Sequence, residues 1–365
     1  MRAAVLRSIG DVEIEDIEAP KPGPGEVLVK LVATGVCHTD VSVLEGRLPV
    51  PLPAVMGHEG AGVVAEVGPG VADVRVGDHV VCSIIVSCGD CVPCLRGEFP
   101  LCDVGGRAAF DGTMMAGGQR LRASSGPLNH FMCQSSFADY AVVPARAAVV
   151  IAKEAPLEVG ALLGCGAMTG LGAVIRRAHV ALGEDVVVLG VGGVGLSVVM
   201  AARASGARRI IAIDRSPDAL GLADALGATN LIDASEPGWM GQVSSVLPRG
   251  ADHVFDVVGT PETVQSAVSL ARRGGAVTLI GLQDPSNPEA AVDTLQLISS
   301  QKRVTGTYGG SIVPKLDIPM AVDLFLDGRL PLDRLISRRV GLEDLPATLD
   351  TLGSHGAGRS VVVFE

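Results

Sequence analysis

The chain has 365 residues, 48% hydrophobic, 19% charged and only 3% aromatic. That length predicts two domains, and that balance excludes a disordered chain and predicts a core of Val, Leu, Ile and Ala. A net charge of −11 with no block of Lys or Arg excludes the electrostatic footprint of a nucleic-acid-binding protein.

The N-terminal run MRAAVLRSIGDVEIED carries no apolar h-region, so no secretory leader is expected. Residues 1–150 read as β-rich. Val27–Val32, Gly62–Val67 and His79–Ser83 are short β-branched runs separated by Gly and Pro. Residues 88–130, rich in Gly, Cys and Arg, read as irregular. Pro156–Ala178 is small and helical in character.

From Asp185 the pattern becomes strand and helix in alternation. Strands are expected at Val186–Leu189, Arg209–Ile213, Leu231–Ile232, His253–Val258 and Ala276–Ile280, with helices at Gly195–Ser205 and Asp218–Leu226. Such alternation predicts an α/β fold with a doubly wound parallel sheet. The longest apolar stretch, Val186–Ala202, has nearly the length of a membrane span. Its four glycines make a buried strand, turn and helix the better reading. The segment from about Tyr308 onward is expected to pack back on the first region. A soluble, cytoplasmic protein with reduced thiols and no membrane partner follows.

Two cysteine patterns stand out among the eight cysteines. Cys88, Cys91, Cys94 and Cys102 are spaced x2, x2, x7. Four thiolates so close in sequence can surround one tetrahedral zinc ion and leave no open position, which describes a structural site. Four unrelated buried thiols, or an iron–sulfur cluster, are the alternatives. The latter is disfavoured by the last spacing and by Asp103, where its usual motif has Pro. Cys37, His58 and Cys165 are dispersed, and each alone is a weak candidate. Three ligands from distant segments nevertheless match the form of a catalytic zinc site, which keeps a fourth position open. Cys82 and Cys133 are expected to be buried and without a role.

Gly190-Val191-Gly192-Gly193-Val194-Gly195 reads G-x-G-x-x-G, follows an expected strand and opens an expected helix. In that context the glycines permit the tight turn, the approach of pyrophosphate and close helix–strand packing. The helix N-terminus favours the phosphates. Asp214 ends the next strand 19 residues after Gly195. A carboxylate there accepts from the ribose hydroxyls and repels a 2′-phosphate, so NAD is expected over NADP. The neighbouring Arg215 is the one feature that would favour NADP.

Local context strengthens the dispersed set. Gly57-His58-Glu59-Gly60-Ala61-Gly62, continuing through Gly68, resembles the signature of the zinc-containing alcohol dehydrogenases of the medium-chain dehydrogenase/reductase family. Gly35-Val36-Cys37-His38-Thr39-Asp40 resembles that family's first ligand segment, and Leu163-Gly164-Cys165-Gly166 its third. The resemblance spans essentially the whole chain. It implies a GroES-like catalytic domain at 1–166 with 309–365, and a Rossmann domain at 167–308. It implies two zinc ions and NAD as cofactors. Cys37, His58 and Cys165 become ligands of the catalytic zinc, with Glu59 near the metal and Asp40 orienting the ligand imidazole.

Thr39 aligns with the hydroxyl that accepts the alcohol proton. Ser42 stands where the best-known members have a relay His, so proton exit falls to Ser42 with water or to His38. Thr169 is expected beside the nicotinamide, with Arg359 and His38 toward the phosphates, although a surface charge is the plain alternative for Arg359. Leu48, Ile84, Phe131 and Met132 are expected to line an apolar channel. Arg107 lies near the position of an anion-binding Arg in the thiol-dependent formaldehyde dehydrogenases, offset by about one residue.

The function expected is reversible hydride transfer between NAD and an apolar primary alcohol, aliphatic or aromatic. The alternatives are a thiol-dependent formaldehyde dehydrogenase of the same fold and a non-catalytic zinc and NAD scaffold or sensor. A homodimer or homotetramer is expected, with Gln301–Tyr308 supplying an edge strand.

Overall fold

The computed structural model describes residues 1–283, 287–352 and 357–365. Among them, two sheets carry the architecture. The first has seven strands, ordered Ala148–Val150, His79–Cys82, Gly60–Val67, Glu26–Gly35, Arg359–Val363, Ile336–Val340, with Tyr140–Pro144 also on Glu26–Gly35. All its pairs are antiparallel except that of Ile336–Val340 with Arg359–Val363. The C-terminal strand thus lies against Glu26–Gly35, the return expected of the last segment.

The second sheet is parallel throughout. Its six strands run Asn230–Asp233, Arg209–Asp214, Asp185–Leu189, Ala251–Asp256, Ala271–Leu279, Arg303–Gly306. In chain order this is 3-2-1-4-5-6, the doubly wound arrangement. The central strand Asp185–Leu189 is buried along its whole length. Continuous apolar character, rather than alternation, is what a strand covered on both faces requires. The order reverses between Asp185–Leu189 and Ala251–Asp256, and ligands bind at such a switch point, beyond the carboxyl ends of the strands.

Helix Gly193–Ala204 starts earlier than expected because Gly192 is still extended, and its carbonyl accepts the first intrahelical bond from Leu196. Leu196 and Val198–Ala202 are buried along it, so tertiary burial rather than an amphipathic stripe holds it. The stretch 88–130 is more ordered than its composition predicts. It holds helices Val92–Leu95 and Asp103–Ala108 and a hairpin of Leu121–Ala123 with Gly126–Leu128. The Cys102 sulfur caps Asp103–Ala108 by accepting from the Gly105 N–H, a cap that helix propensity does not reveal. No helix among the described residues is long and apolar enough to cross a membrane.

The two sheets meet where the chain crosses between them. Helix Leu157–Leu162 packs on the first sheet. Helix Gly166–Gly172 crosses Gly193–Ala204 with backbone in contact: a Cβ on Gly170 would lie 2.5 Å from the Val194 carbonyl oxygen. Cys165 precedes this helix and Arg359 opens the final strand, so both stand at the junction.

Candidate active site

Helix His38–Leu44 begins at Cys37, which is extended (φ −119°, ψ 152°). Asp40, the third residue of the helix, closes a capping box by accepting from the Cys37 N–H at 3.1 Å. Its other oxygen lies 3.1 Å from His58 Nδ1. One buried carboxylate therefore holds both the Cys37 backbone and the imidazole. With Nδ1 engaged, Nε2 of the fully buried His58 has no hydrogen-bond partner among the described residues. An orphaned buried nitrogen costs about 1–3 kcal/mol unless something fills the space it faces.

That space is shared by Cys37, Glu59 and Cys165, whose donor atoms lie with that of His58 within 4.8 Å of one another. Two sulfurs, an imidazole nitrogen and a carboxylate form a donor set suited to zinc. The Cys37 thiol is held well below the usual range by its hydrogen bond with Cys165, and the same contact, with burial, pushes Cys165 well above it. A divalent cation would hold both sulfurs as thiolates.

Glu59 is fully buried, which raises its carboxyl, with Arg359 opposing. It accepts from the Gly166 N–H at 3.1 Å, and its other oxygen pairs with Arg359 Nη2. Arg359 is not a surface charge: it is 8% exposed and runs across Gly193, where a Cβ would lie 2.2 Å from Arg359 Cδ. Burial alone would lower its ionisation, but the charges of Glu59 and Cys37 raise it. The side chain joins the start of the glycine-loop helix to the metal-ligand cluster.

The second cluster is compact. The sulfurs of Cys88, Cys91, Cys94 and Cys102 make contacts of 3.6, 3.8 and 4.0 Å. Zinc–sulfur bonds near 2.3 Å in a tetrahedron place sulfurs about 3.8 Å apart, so the cage fits the ion. Backbone N–H groups of Asp90 and Cys91 point at Cys88 and lower its thiol to about 6, while burial pushes Cys94 up to about 12. The fixed N–H donors favour the thiolate at Cys88.

The glycine loop lies at the switch point. Gly190 has φ +85°, and a Cβ there would lie 2.6 Å from Val258 Cγ2. Gly195 packs so closely that a Cβ would fall 1.9 Å from the Gly190 carbonyl oxygen. Asp214 accepts from the Val191 N–H at 2.8 Å and from Arg215 and Ser216 N–H, so it braces the loop as well as presenting a carboxylate. Arg215 is exposed. Thr169 is half-buried on Gly166–Gly172.

Thr39 Oγ1 is 3.6 Å from Cys37 Sγ. Phe131 is buried with its ring edge-on to His58, centroids 5.4 Å apart. Ile84 and Met132 are buried and Leu48 half-buried. Other expected residues are not drawn in. Ser42 donates to the His38 carbonyl at 3.0 Å, one turn back on its own helix, and His38 and Arg107 are exposed. Cys82 and Cys133 are buried.

Two buried groups were absent from the sequence reading. Asp256 accepts from Val258 and Gly259 N–H and from Thr263 Oγ1, fixing the loop that faces Gly190. A carboxylate ending a parallel strand just before Gly-Thr-Pro is a usable signal for it. Gln134 bonds Gly60 and Cys82, and no spacing pattern announces it.

A parallel nucleotide-binding sheet joined to a β-rich lobe, with one closed thiol cage and one mixed donor cluster, defines a zinc-binding dehydrogenase. Comparison with known proteins agrees. The family described as "Alcohol dehydrogenase GroES-like domain" matches residues 23–153, and "Zinc-binding dehydrogenase" matches 193–327. An S-(hydroxymethyl)glutathione dehydrogenase of Synechocystis is 37% identical over 368 residues, covering 100% of this chain and 99% of that protein. The crystal structure of an alcohol dehydrogenase zinc-binding domain protein from Burkholderia ambifaria superposes with a TM-score of 0.96 at 38% identity, covering 100% and 98%. Benzyl alcohol dehydrogenase from Acinetobacter calcoaceticus gives 0.95 at 34%, covering 100% and 99%. The chain belongs to the zinc-dependent alcohol dehydrogenases of the medium-chain dehydrogenase/reductase family. It is an NAD-dependent oxidoreductase with two zinc sites.

Replacing Cys94 with Ser is expected to lower zinc content from two to one per chain and to lower the thermal midpoint. Metal analysis with calorimetry checks this, and a two-zinc protein of unchanged midpoint would contradict it.

Proposed function

We propose that the chain interconverts apolar primary alcohols, aliphatic or aromatic, with their aldehydes. The observation that carries the reading is the orphaned His58 Nε2 turned into a cluster with Cys37, Glu59 and Cys165. In this reading Cys37, His58 and Cys165 hold the catalytic zinc and Cys88, Cys91, Cys94 and Cys102 the structural one. When bound, zinc supplies Lewis acidity that makes an alcohol hydroxyl acidic, and NAD supplies the hydride acceptor.

The protein's own groups do the rest. Thr39, on the turn that starts at Cys37, takes the hydroxyl proton. The further path to solvent falls to Ser42 with water or to the exposed His38 beside Thr39. Asp40 holds the imidazole in place. Leu48, Ile84, Phe131 and Met132 give the substrate an apolar wall that excludes water. Gly190, Gly192, Gly193, Val194 and Gly195 let the backbone approach pyrophosphate, with Arg359 against Gly193 adding charge there. Thr169 borders the nicotinamide, and Asp214 accepts from the ribose and disfavours a 2′-phosphate. Residues 1–166 with 309–365 form the catalytic unit and 167–308 the cofactor unit. Copies associate through the edge strand Arg303–Gly306. The 73% and 76% exposure of Leu295 and Ile298 on the nearby helix supports an apolar contact there.

The benzyl alcohol dehydrogenase relative supports the aromatic alcohol reading. A second reading, oxidation of a thiol adduct of formaldehyde, is favoured by the S-(hydroxymethyl)glutathione dehydrogenase relatives at 34–37% identity. The exposed Arg107 does not supply an enclosed anion site for it. Steady-state kinetics with benzyl alcohol against formaldehyde plus glutathione separate the two. A kcat/KM at least tenfold higher for benzyl alcohol is expected, and the reverse order would establish the second reading. Cys165→Ser should abolish both activities and remove one zinc, and surviving turnover with two zinc ions would sink the ligand assignment.

Asp214→Ala is expected to raise the KM for NAD and to narrow the NAD over NADP preference, since the carboxylate both braces Val191 and opposes a 2′-phosphate. An unchanged cofactor ratio would count against that role.

A further inference from the structure

A buried carboxamide behind the metal-ligand cluster ties two of its segments together. Gln134 is 1% exposed. Its Oε1 accepts from the Gly60 N–H at 2.7 Å, and its Nε2 donates to the Cys82 carbonyl at 3.3 Å. A carboxamide is suited to this because it presents acceptor and donor side by side. Gly60 follows His58 and Glu59 directly. The Cys82 carbonyl abuts the third segment: a Cβ on Gly164 would lie 2.8 Å from that oxygen and 3.2 Å from the Glu59 Cα. The Gly164 carbonyl also accepts from the Ile84 N–H at 3.1 Å. Gly164 thus lies in the angle between the two strands that Gln134 joins, and Cys165 is its neighbour.

The segment that carries Gln134 is itself held in a costly shape. Met132, Cys133 and Ser135 have φ of 50°, 51° and 57°, a region non-glycine residues rarely occupy. Such strain persists only where the surroundings over-determine it. Here the Ser135 hydroxyl accepts from the Phe131 N–H, Ser136 N–H bonds the Gly57 carbonyl, and the Ser136 and Thr34 hydroxyls meet at 2.7 Å. Phe131, at the start of the turn, touches the His58 ring.

We propose that Gln134 is a positioning residue of the catalytic zinc site, holding the His58–Glu59 segment and the Cys165 segment at the separation the metal requires. This rests on the reading of Cys37, His58 and Cys165 as zinc ligands. Gln134 acts through backbone and touches none of the reacting atoms.

The test is zinc release from the holoenzyme under a chelator with a colorimetric zinc reporter, at a temperature well below unfolding. Cys165→Ser identifies which release phase belongs to the catalytic site. In Gln134→Met, which keeps the length and loses both hydrogen bonds, that phase is expected to accelerate roughly 10–100-fold. Release from the four-cysteine cage should be unchanged, and activity should return on adding zinc. Gln134→Glu keeps only the acceptor for Gly60 and decides on the same readout if the Met variant does not fold. Folded variants with both phases at wild-type rates would overturn the proposal. So would both phases shifting together with the unfolding midpoint, or failure of both variants to fold, since each describes a general core role. If Cys165→Ser instead kept both zinc ions, the ligand reading would fail before Gln134 is at issue.

Discussion

The Asp40 carboxylate makes two hydrogen bonds on which the whole arrangement depends. One fixes the backbone of Cys37 at the mouth of a short helix, and the other turns His58 so that Nε2 faces the two thiols. A seven-residue helix is marginal by propensity alone. A capping carboxylate at its third position and a docked imidazole make it a fixed element. Local helix chemistry and metal-site geometry are here the same interaction.

The second dependence is between the two halves of the molecule. Arg359 belongs to the last strand of the β-rich sheet, yet its side chain lies on the first residue of the glycine-loop helix and ends on Glu59. Removing one partner of a buried ion pair is strongly destabilising, on the order of 3–5 kcal/mol, because it strands the other charge. The pair therefore couples the start of the glycine-loop helix to a carboxylate within the metal-ligand cluster. The chain's return from the parallel sheet to the first sheet serves that coupling, since only the return brings residue 359 beside residues 59 and 193.

Much of this was legible in the sequence because the chemistry concentrates in contiguous motifs. The x2, x2, x7 cysteine spacing, the glycine loop after an apolar strand and the carboxylate at Asp214 each carry their own local reason; the four sulfurs come together, the loop joins strand to helix and Asp214 ends its strand. Strand positions are legible for the buried parallel sheet, where continuous apolar runs mark them. The order within 88–130 is not legible in its composition, because helix Asp103–Ala108 is held by the Cys102 sulfur cap and by packing rather than by propensity. Burial of Arg359 was equally invisible, since it depends on a partner 300 residues away. Gln134 lay beyond sequence reasoning because a single carboxamide bonding to backbone leaves no period, spacing or charge pattern.

The proposed chemistry requires one zinc ion between Cys37, His58 and Cys165 with a position left open for substrate, and another fully enclosed by four cysteines. Anomalous diffraction at the zinc edge from crystals of the holoenzyme tests it most directly. Two peaks per chain are expected. One lies about 2.0–2.3 Å from Cys37 Sγ, His58 Nε2 and Cys165 Sγ, and the other about 2.3 Å from the sulfurs of Cys88, Cys91, Cys94 and Cys102. A single peak at the four-cysteine cage, with His58 Nε2 bonded to protein instead, would contradict it.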